Sequence, residues 1–484
     1  MKVLLLFPSD PVEIYKHDAP LLGQAYLAAG LEKEGHSVAI LNMMVKKHRE
    51  RFLDTLHDLH PDIVGVTLTA LTMKNGYQLI EVIKRETNAI VVAGGPQVTL
   101  VPKRVLANPL IDFIFMGEGD VSFATFVSKL EKGEEVQDIP GLGFGAREEI
   151  ILNSKVYVED LDSLPFPAWH LFDFEDYREE PEKRHLPILT SRGCPYKCIY
   201  CTEPKIGGSH RVRSAENVVE EIEYDMRTFN IRLFDIFDDT FIVFPKRTSE
   251  ICDIIIDRNL NIKWEVSAGV NAQSTNYELF KKMRQAGCNR IGLGVESSSD
   301  EVLKLIQKPA TRQQIEDAIR NSKRAGLFTT VFIMSGLPGS TYDIEMENIE
   351  FFKKLDVDRP SYGNTMVYPN TELYEWVKQN ATPLVDLDTA AENFSQAPPL
   401  YQLITELPAE KLAYIQPVYE TEDFPRQERV KALMKACIEA RRWEFRKGLQ
   451  SKYSKRLGLL MYYAAQIEPL RMVGRLIFRL LGRL

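Results

Sequence analysis

The sequence lacks most of the devices by which a chain of this length declares a common activity. No G-x-G-x-x-G follows its first apolar run and no G-x₄-G-K-[S/T] occurs, so dinucleotide and P-loop chemistry have no support. The net charge is −8, which gives no basic footprint for a nucleic acid. The opening MKVLLLFPSD holds too short an apolar run for a signal peptide, and no stretch approaches the length needed to cross a bilayer. Cysteine is scarce: six in 484 residues is no disulfide framework, and a reducing cytoplasm is the compartment implied. Cys252, Cys288 and Cys437 stand singly inside apparent helices and read as small buried apolar residues. What remains is ordinary for a globular protein, 44% hydrophobic and 26% charged, with length for two or three domains.

Against that background residues 190–203, TSRGCPYKCIYCTE, stand out. Cys194, Cys198 and Cys201 follow a short apolar strand, HLPILT, in the spacing C-x₃-C-x₂-C. A [4Fe–4S] cube takes four protein ligands as a rule, and no fourth cysteine lies nearby. Three thiolates would leave one iron open to a small chelating molecule. The competing reading is a structural zinc site with His210 as fourth ligand. Zinc sites favour two separated cysteine pairs or a paired histidine, and neither is present.

Residues 1–137 alternate continuous apolar strands (2–7, 36–41, 62–69, 88–95, 112–117) with helical stretches (21–35, 46–59, 73–87). This pattern predicts a Rossmann-like α/β domain with a parallel sheet covered on both faces. Ligands bind such sheets beyond the carboxyl ends of the strands. Three turns fall there: Thr67-Leu68-Thr69, Gly94-Gly95-Pro96-Gln97-Val98-Thr99 and Gly117-Glu118-Gly119. Residues 138–182 form a Pro- and Gly-punctuated linker, packed rather than loose because Phe166, Trp169, Phe172 and Phe174 are too apolar to leave in water; His170 belongs to that packing.

Over 183–390 six β/α repeats are expected, with strands near 186–190, 231–237, 262–267, 290–295, 328–334 and 361–367. Six units rather than eight predict a partial (β/α)₆ TIM-type barrel, whose functional groups gather at the C-terminal strand ends. The cysteine loop, Asp238-Asp239, Ser267 with Asn271, Glu296-Ser297, Ser335-Gly336 and Tyr368 all fall at those ends. An acidic pair such as Asp238-Asp239 also serves as a helix cap. Lys304, Lys308, Arg312, Lys323, Arg324 and Lys353 read as solvated helix faces.

The cysteine stretch, with Tyr200 before its third cysteine, resembles the signature of the radical S-adenosylmethionine superfamily. Over about residues 1–390 the chain is similar to its cobalamin-dependent members, the class B methyltransferases and the anaerobic magnesium-protoporphyrin ester cyclase group. The resemblance implies a [4Fe–4S] cluster on Cys194, Cys198 and Cys201. It implies S-adenosylmethionine at Tyr200, Asp238, Ser267, Glu296, Ser297 and Gly336, with GVES and GLPGST as the fourth- and fifth-strand signatures and Glu296 on the ribose hydroxyls. It implies cobalamin at Thr67, Leu68, Thr69, Gly94, Gly95, Gln97, Thr99, Glu118 and Gly119. Three departures stand out. Gln97 replaces the histidine of the usual GGPHAT. Asn42-Met43-Met44-Val45-Lys46 occupies the place of a D-x-H-x-x-G loop, and His48 lies outside its spacing as a solvent-facing helix residue, so the lower cobalt face should lack a protein histidine. Asn271 stands where relatives carry an arginine, and Arg192 reads as a structural ion-pair partner.

The implied activity is methylation of an unactivated carbon through a 5′-deoxyadenosyl radical and methylcobalamin, with one-electron reduction by a flavodoxin or ferredoxin. The alternatives are an oxidative cyclase or rearrangement enzyme that transfers no methyl, and a non-catalytic iron–sulfur or cobalamin sensor. Residues 391–484 read as a helical cap over the barrel mouth with a basic tail. Residues 441–484 carry eight Arg and three Lys against two Glu. Arg471, Arg475, Arg479 and Arg483 form one stripe opposite Met472, Val473, Leu476, Ile477, Leu480 and Leu481. Such a helix packs on the cap or lies on an anionic membrane through 455–484. The second case suggests an apolar small-molecule substrate: a lipid, isoprenoid or tetrapyrrole.

Overall fold

The computed structural model describes residues 1–9, 19–145, 149–394 and 417–452. The first sheet contains β1 (Lys2–Phe7), β2 (Ser37–Asn42), β3 (Ile63–Thr67), β4 (Ile90–Gly94), β5 (Phe113–Phe115), β6 (Leu142–Phe144) and β7 (Ile151–Leu152). These lie in the order β2-β1-β3-β4-β5-β6-β7. The first five run parallel. Period-two geometry sends Leu4 and Leu6 of β1 to a core with helices Phe52–Leu59 and Met73–Glu86. Val3 and Leu5 face the opposite core, with helices Leu22–Lys33 and Ser122–Glu131. Both faces are dry, which is why the strands read as unbroken apolar runs. The order reverses between β1 and β3, and a crevice opens at such a switch.

β6 and β7 extend this sheet in antiparallel fashion. The stretch read as the start of the linker is thus structurally part of the sheet. The rest of the linker packs as its aromatics require: Trp169 is fully buried, and Phe166 and Phe174 lie 5.8 and 5.7 Å from the rings of Tyr224 and Phe229. His170 departs from expectation, standing half exposed and 3.0 Å from Glu32. His48 departs in the other direction. Its side chain is largely covered, with Nδ1 accepting from Asn42 N–H and Nε2 2.9 Å from Asp176 of the linker.

The second sheet contains β8 (His185–Ile188), β11 (Leu233–Ile236), β12 (Lys263–Val270), β13 (Cys288–Glu296), β14 (Phe328–Ser335) and β15 (Arg359–Asn364). A short hairpin of β9 (Ser191–Arg192) and β10 (Arg211–Val212) interrupts it. All six strands run parallel in the order β15-β14-β13-β12-β11-β8, and among the described residues β8 and β15 do not meet. This is the open six-unit barrel expected. Cys288 begins β13 and is not helical; its burial is as predicted.

Helix Arg426–Lys452, in the region read as a cap, reaches the barrel rim at its start, where Arg429 donates to Gly336 O. It lies along β15 and helix Tyr342–Lys354, with Leu433 and Ala436 buried and Trp443 Nε1 donating to Val357 O at 2.7 Å. The apolar side of that edge needs covering because among the described residues no seventh strand pairs with β15. The basic stripe at 471–483 lies outside the described residues. No described helix is long and apolar enough to cross a membrane.

Helix Ala215–Phe229 carries one costly group. Asp225 is buried beside the Trp169 indole, and burial pushes its pKa up to about 9, with Glu221 adding to the effect and Trp169 opposing it. A carboxyl raised in the folded state contributes stability that is complete below its unfolded value and lost as pH rises toward the folded one. Asp225→Asn removes that loss. Its melting temperature should exceed the wild-type value by an amount that grows from pH 5 to pH 8, about 2–4 °C per kcal/mol relieved. Differential scanning calorimetry across that range checks it; a pH-independent difference contradicts it.

Candidate active site between the two sheets

The cysteine loop leaves β8 through a corner held from below. Asp238 turns its carboxylate inward, accepting from Thr190 N at 2.6 Å and from the hydroxyls of Thr190 and Ser191 at 2.5 and 2.6 Å. Asp239 faces the other way, into a cavity. Gly193 has φ +76°, and a Cβ there would meet Ser209 O at 2.4 Å, so only glycine makes the turn. Further on, Ile199 N donates to Ile306 O at 3.1 Å and Ile199 O accepts from Leu373 N at 2.9 Å. The loop is thereby tied to two barrel helices' connections rather than left to swing.

Burial pushes the thiols of Cys194 and Cys201 up to about 11 and about 12, and raises Cys198 as well. A metal would have to displace their protons. His210 donates from Nδ1 to Gly193 O, 2.8 Å away, and its ring lies tilted 5.6 Å from that of Phe244. Among the described residues no three His, Cys, Asp or Glu side chains converge as a single-ion site requires. Three cysteines on one fixed loop without a fourth thiol suit a cube with an open corner.

The other rim positions surround this loop. Glu296 ends β13 with φ +61°, and its Oε1 lies 3.0 Å from Lys308 Nζ. Lys308 is therefore not a solvated residue: both side chains are only 10% exposed. Lys304 is exposed, while Arg312, Lys323, Arg324 and Lys353 lie against partners at the helix surface. Ser297 is buried, with its hydroxyl 3.3 Å from Asn348 Oδ1. Ser267 donates to Asp235 Oδ2 at 2.6 Å, keeping its lone pairs free to accept. Gly336 at the end of β14 is clamped through both backbone groups: its N–H donates to Glu345, and its oxygen accepts from Tyr419 and Arg429. Asn271 caps its own turn through Gln273 N.

Across from this rim lie the turns of the first sheet, and two cavities separate them. One, of about 460 Å³, runs over the sheet between β1 and β3, lined by Gly65, Thr67, Gly94, Gly95, Thr99, Gly117 and Gly119 and faced by Arg192, Glu203 and Asp239. Gly65 keeps it open within β3, where a Cβ would meet Leu5 and Phe123. Gly95 has φ +104°, and a Cβ would come within 2.9 Å of Leu68 O. The second cavity, about 500 Å³, is bounded by Thr69–Thr72, Pro96, Gln97 and Leu100 on one side and Tyr200, Cys201 and Tyr368 on the other.

Several residues expected at the corrin have other duties. Leu68 is fully buried. Thr99 Oγ1 links Gly95 O to Gly117 N. Gln97 donates to Glu392 at 2.8 Å. Glu118 takes two bonds from Arg211 and one from Val158 N. Arg192 makes the ion pair expected of it, a bidentate bond to Asp120 at 2.7 and 2.9 Å. Glu203 was not singled out in the sequence; burial, with Asp239 beside it, holds its carboxyl well above the usual range.

The model of the Radical SAM superfamily matches residues 188–352, and that of the B12 binding domain matches residues 11–127. The chain is 31% identical over 388 residues to an uncharacterized methyltransferase, PH0819, of Pyrococcus horikoshii, covering 78% of this chain and 84% of that one. It belongs to the B12-binding radical S-adenosylmethionine enzymes. Membership brings the [4Fe–4S] cluster, S-adenosylmethionine and cobalamin as cofactors, and sets aside the sensor reading. The chain is also 26% identical over 388 residues to the anaerobic magnesium-protoporphyrin IX monomethyl ester cyclase of Rubrivivax gelatinosus, covering 78% of this chain and 70% of that one. The fold matches that of the methyltransferase TsrM from Kitasatospora setae, solved with cobalamin and a [4Fe–4S] cluster, at a TM-score of 0.64, 20% identity, and coverage of 86% and 76% of the two chains.

Gly94 offers a clean test of the first cavity's wall in this B12-binding enzyme. A Cβ there has its nearest neighbour, Phe115 O, at 4.0 Å, so a side chain projects without backbone strain. Gly94→Leu should cut bound corrin about tenfold or more, a change of ~1.4 kcal/mol or above, with iron content and melting temperature kept. Absorbance of the reconstituted protein measures the first; full corrin occupancy contradicts the assignment.

Proposed function

We propose that this enzyme methylates an unactivated carbon of a largely apolar small molecule. The observation that carries the reading is the second cavity, whose opposite walls are the first sheet's Thr69–Thr72 turn and Cys201 of the cluster loop. A substrate there lies between the two cofactors, which is the proximity that passing a radical and then a methyl group demands. When bound, the cluster supplies the electron that splits S-adenosylmethionine and the corrin supplies the methyl group.

The chain's own residues bind and orient. Cys194, Cys198 and Cys201 hold the cluster. Glu296 accepts from the ribose hydroxyls, while Ser267, Ser297 and Gly336 shape the rest of the nucleoside pocket and Tyr200 packs over it. Asp238 acts one step away, fixing the corner from which the cysteine loop departs. Thr67, Thr69, Gly94, Gly95 and Gly119 let the corrin and its tail approach the backbone, with Leu68, Gln97, Thr99 and Glu118 holding those turns in place. His48 is tied to Asn42 and Asp176, which supports a cobalt without a histidine below it. Met44, Leu71, Leu100 and Tyr368 give the second cavity an apolar wall, which favours a ring system or hydrocarbon over a charged metabolite.

A cyclase that transfers no methyl is the second reading, favoured by the likeness to the magnesium-protoporphyrin ester cyclase. Anaerobically reconstituted enzyme with an external one-electron donor, methyl-deuterated S-adenosylmethionine and candidate substrates separates the two. The expected result is a product carrying the labelled methyl, with one 5′-deoxyadenosine and one S-adenosylhomocysteine formed for each. A product without label, accompanied by 5′-deoxyadenosine alone, overturns methylation and supports cyclisation.

A further inference from the structure

Lys308 lies between helices Asp300–Leu305 and Arg312–Arg324, in a turn fixed at three points. Ile306 O accepts from Ile199 N, so the turn is joined to the loop between Cys198 and Cys201. Gln307 takes a left-handed φ of +56°, and Lys308 N donates to Leu303 O at 2.9 Å. Lys308 Nζ then meets Glu296 Oε1 at 3.0 Å. Gly294 lies beneath the pair: a Cβ there would come within 3.1 Å of both atoms.

An ion pair this covered is a poor way to gain stability, because desolvation consumes most of the attraction and an apolar pair would pack as well. What an apolar pair does not provide is a field. The Ile306–Ile199 bond seats the Lys308 turn against the segment between Cys198 and Cys201, so its covered ammonium stands on the cluster loop's side of the site. A cluster on three thiolates becomes more negative by one charge when reduced, and nearby charge is one of the levers on its potential. Glu296 meanwhile sits in a backbone conformation rare for a non-glycine residue and needs a partner to keep its carboxylate in one place.

We infer that Lys308 is a positioning residue with two duties: it aims the Glu296 carboxylate at the ribose, and it eases reduction of the cluster by placing a positive charge beside Cys198 and Cys201. This rests on the cluster and ribose assignments proposed above. The two halves of the pair give it a signature that loosened packing would not reproduce. Lys308→Met removes positive charge and Glu296→Gln removes negative charge from the same spot, so the cluster potential moves down in the first and up in the second. S-adenosylmethionine binding weakens in both, by about tenfold, as the loss of a charged hydrogen bond implies.

The experiment uses the full chain, reconstituted anaerobically, with iron and sulfide counted first. An EPR-monitored redox titration without S-adenosylmethionine gives the midpoint, and equilibrium dialysis gives the affinity. Opposite shifts, with Lys308→Arg close to wild type in both measurements, are expected. An intact cluster whose midpoint is unmoved in Lys308→Met, or moves the same way in both variants, overturns the inference and leaves the cluster assignment standing. Should Lys308→Met lose its iron, Glu296→Gln and Lys308→Arg decide alone: anything but a rise in the first with a wild-type value in the second overturns it. A wild-type protein that assembles no cluster overturns the proposed function, and this inference with it.

Discussion

Everything at the site depends on two parallel sheets being held with their C-terminal edges facing each other. The bond that does this most directly is Arg192 to Asp120, bidentate and largely covered, reaching from the hairpin after β8 to the loop after β5. Burial works to raise the Asp120 carboxyl, yet the Arg192 guanidinium holds it below its ordinary value. Arg211 adds a second bridge, to Glu118 in the same loop. Bidentate guanidinium–carboxylate pairs fix orientation as well as distance. Breaking such a buried pair by removing one partner costs ~3–5 kcal/mol, since the other charge is stranded. The cavities therefore take their width from charges that pair with one another across the two sheets, Arg192, Asp120 and Glu118 being at the same time part of the first cavity's lining.

The same economy runs through the individual turns. Residues expected to touch a cofactor are in several cases those that keep the touching backbone in place: Asp238 beneath the cysteine loop, Thr99 between two glycine turns, Glu118 under Arg211. Gln97, Thr99, Glu118 and Arg192 near the cavities are satisfied by the protein itself, and much of the surface left for ligands is glycine backbone and apolar wall, with a few carboxylates and the unpartnered amide of Gln24. An arrangement of this kind is preorganised, and little has to move when a flat macrocycle or a nucleoside arrives.

Much of this was legible in the sequence, for reasons that differ by feature. The cysteine spacing is a local matter and survives without a fold. The strands of both sheets were visible because parallel strands are dry on both faces, so Lys2–Phe7 and Ile90–Gly94 appear as plain apolar runs. Cys288 was assigned to a helix because a single thiol among polar neighbours carries no period. Lys308 was hidden because a lysine in a polar turn between helices looks solvated until Glu296, 12 residues earlier, is found opposite it. His48 was hidden for the same reason, its partner Asp176 lying 128 residues away. The course of helix Arg426–Lys452 along β15 depends on which barrel edge lacks a neighbour, and no local pattern encodes that.

Gln97 sits in the glycine turn that borders both cavities, yet its side chain is spoken for by Glu392, and Arg104 and Asn370 add further ties between the first domain and the stretch following the barrel. The vitamin-binding half is thus fastened at its rim by residues that the ribosome adds almost three hundred positions later. The rim of the first cavity's glycine turn therefore gains its last side-chain partners only when the segment around Asp388 and Glu392 is in place.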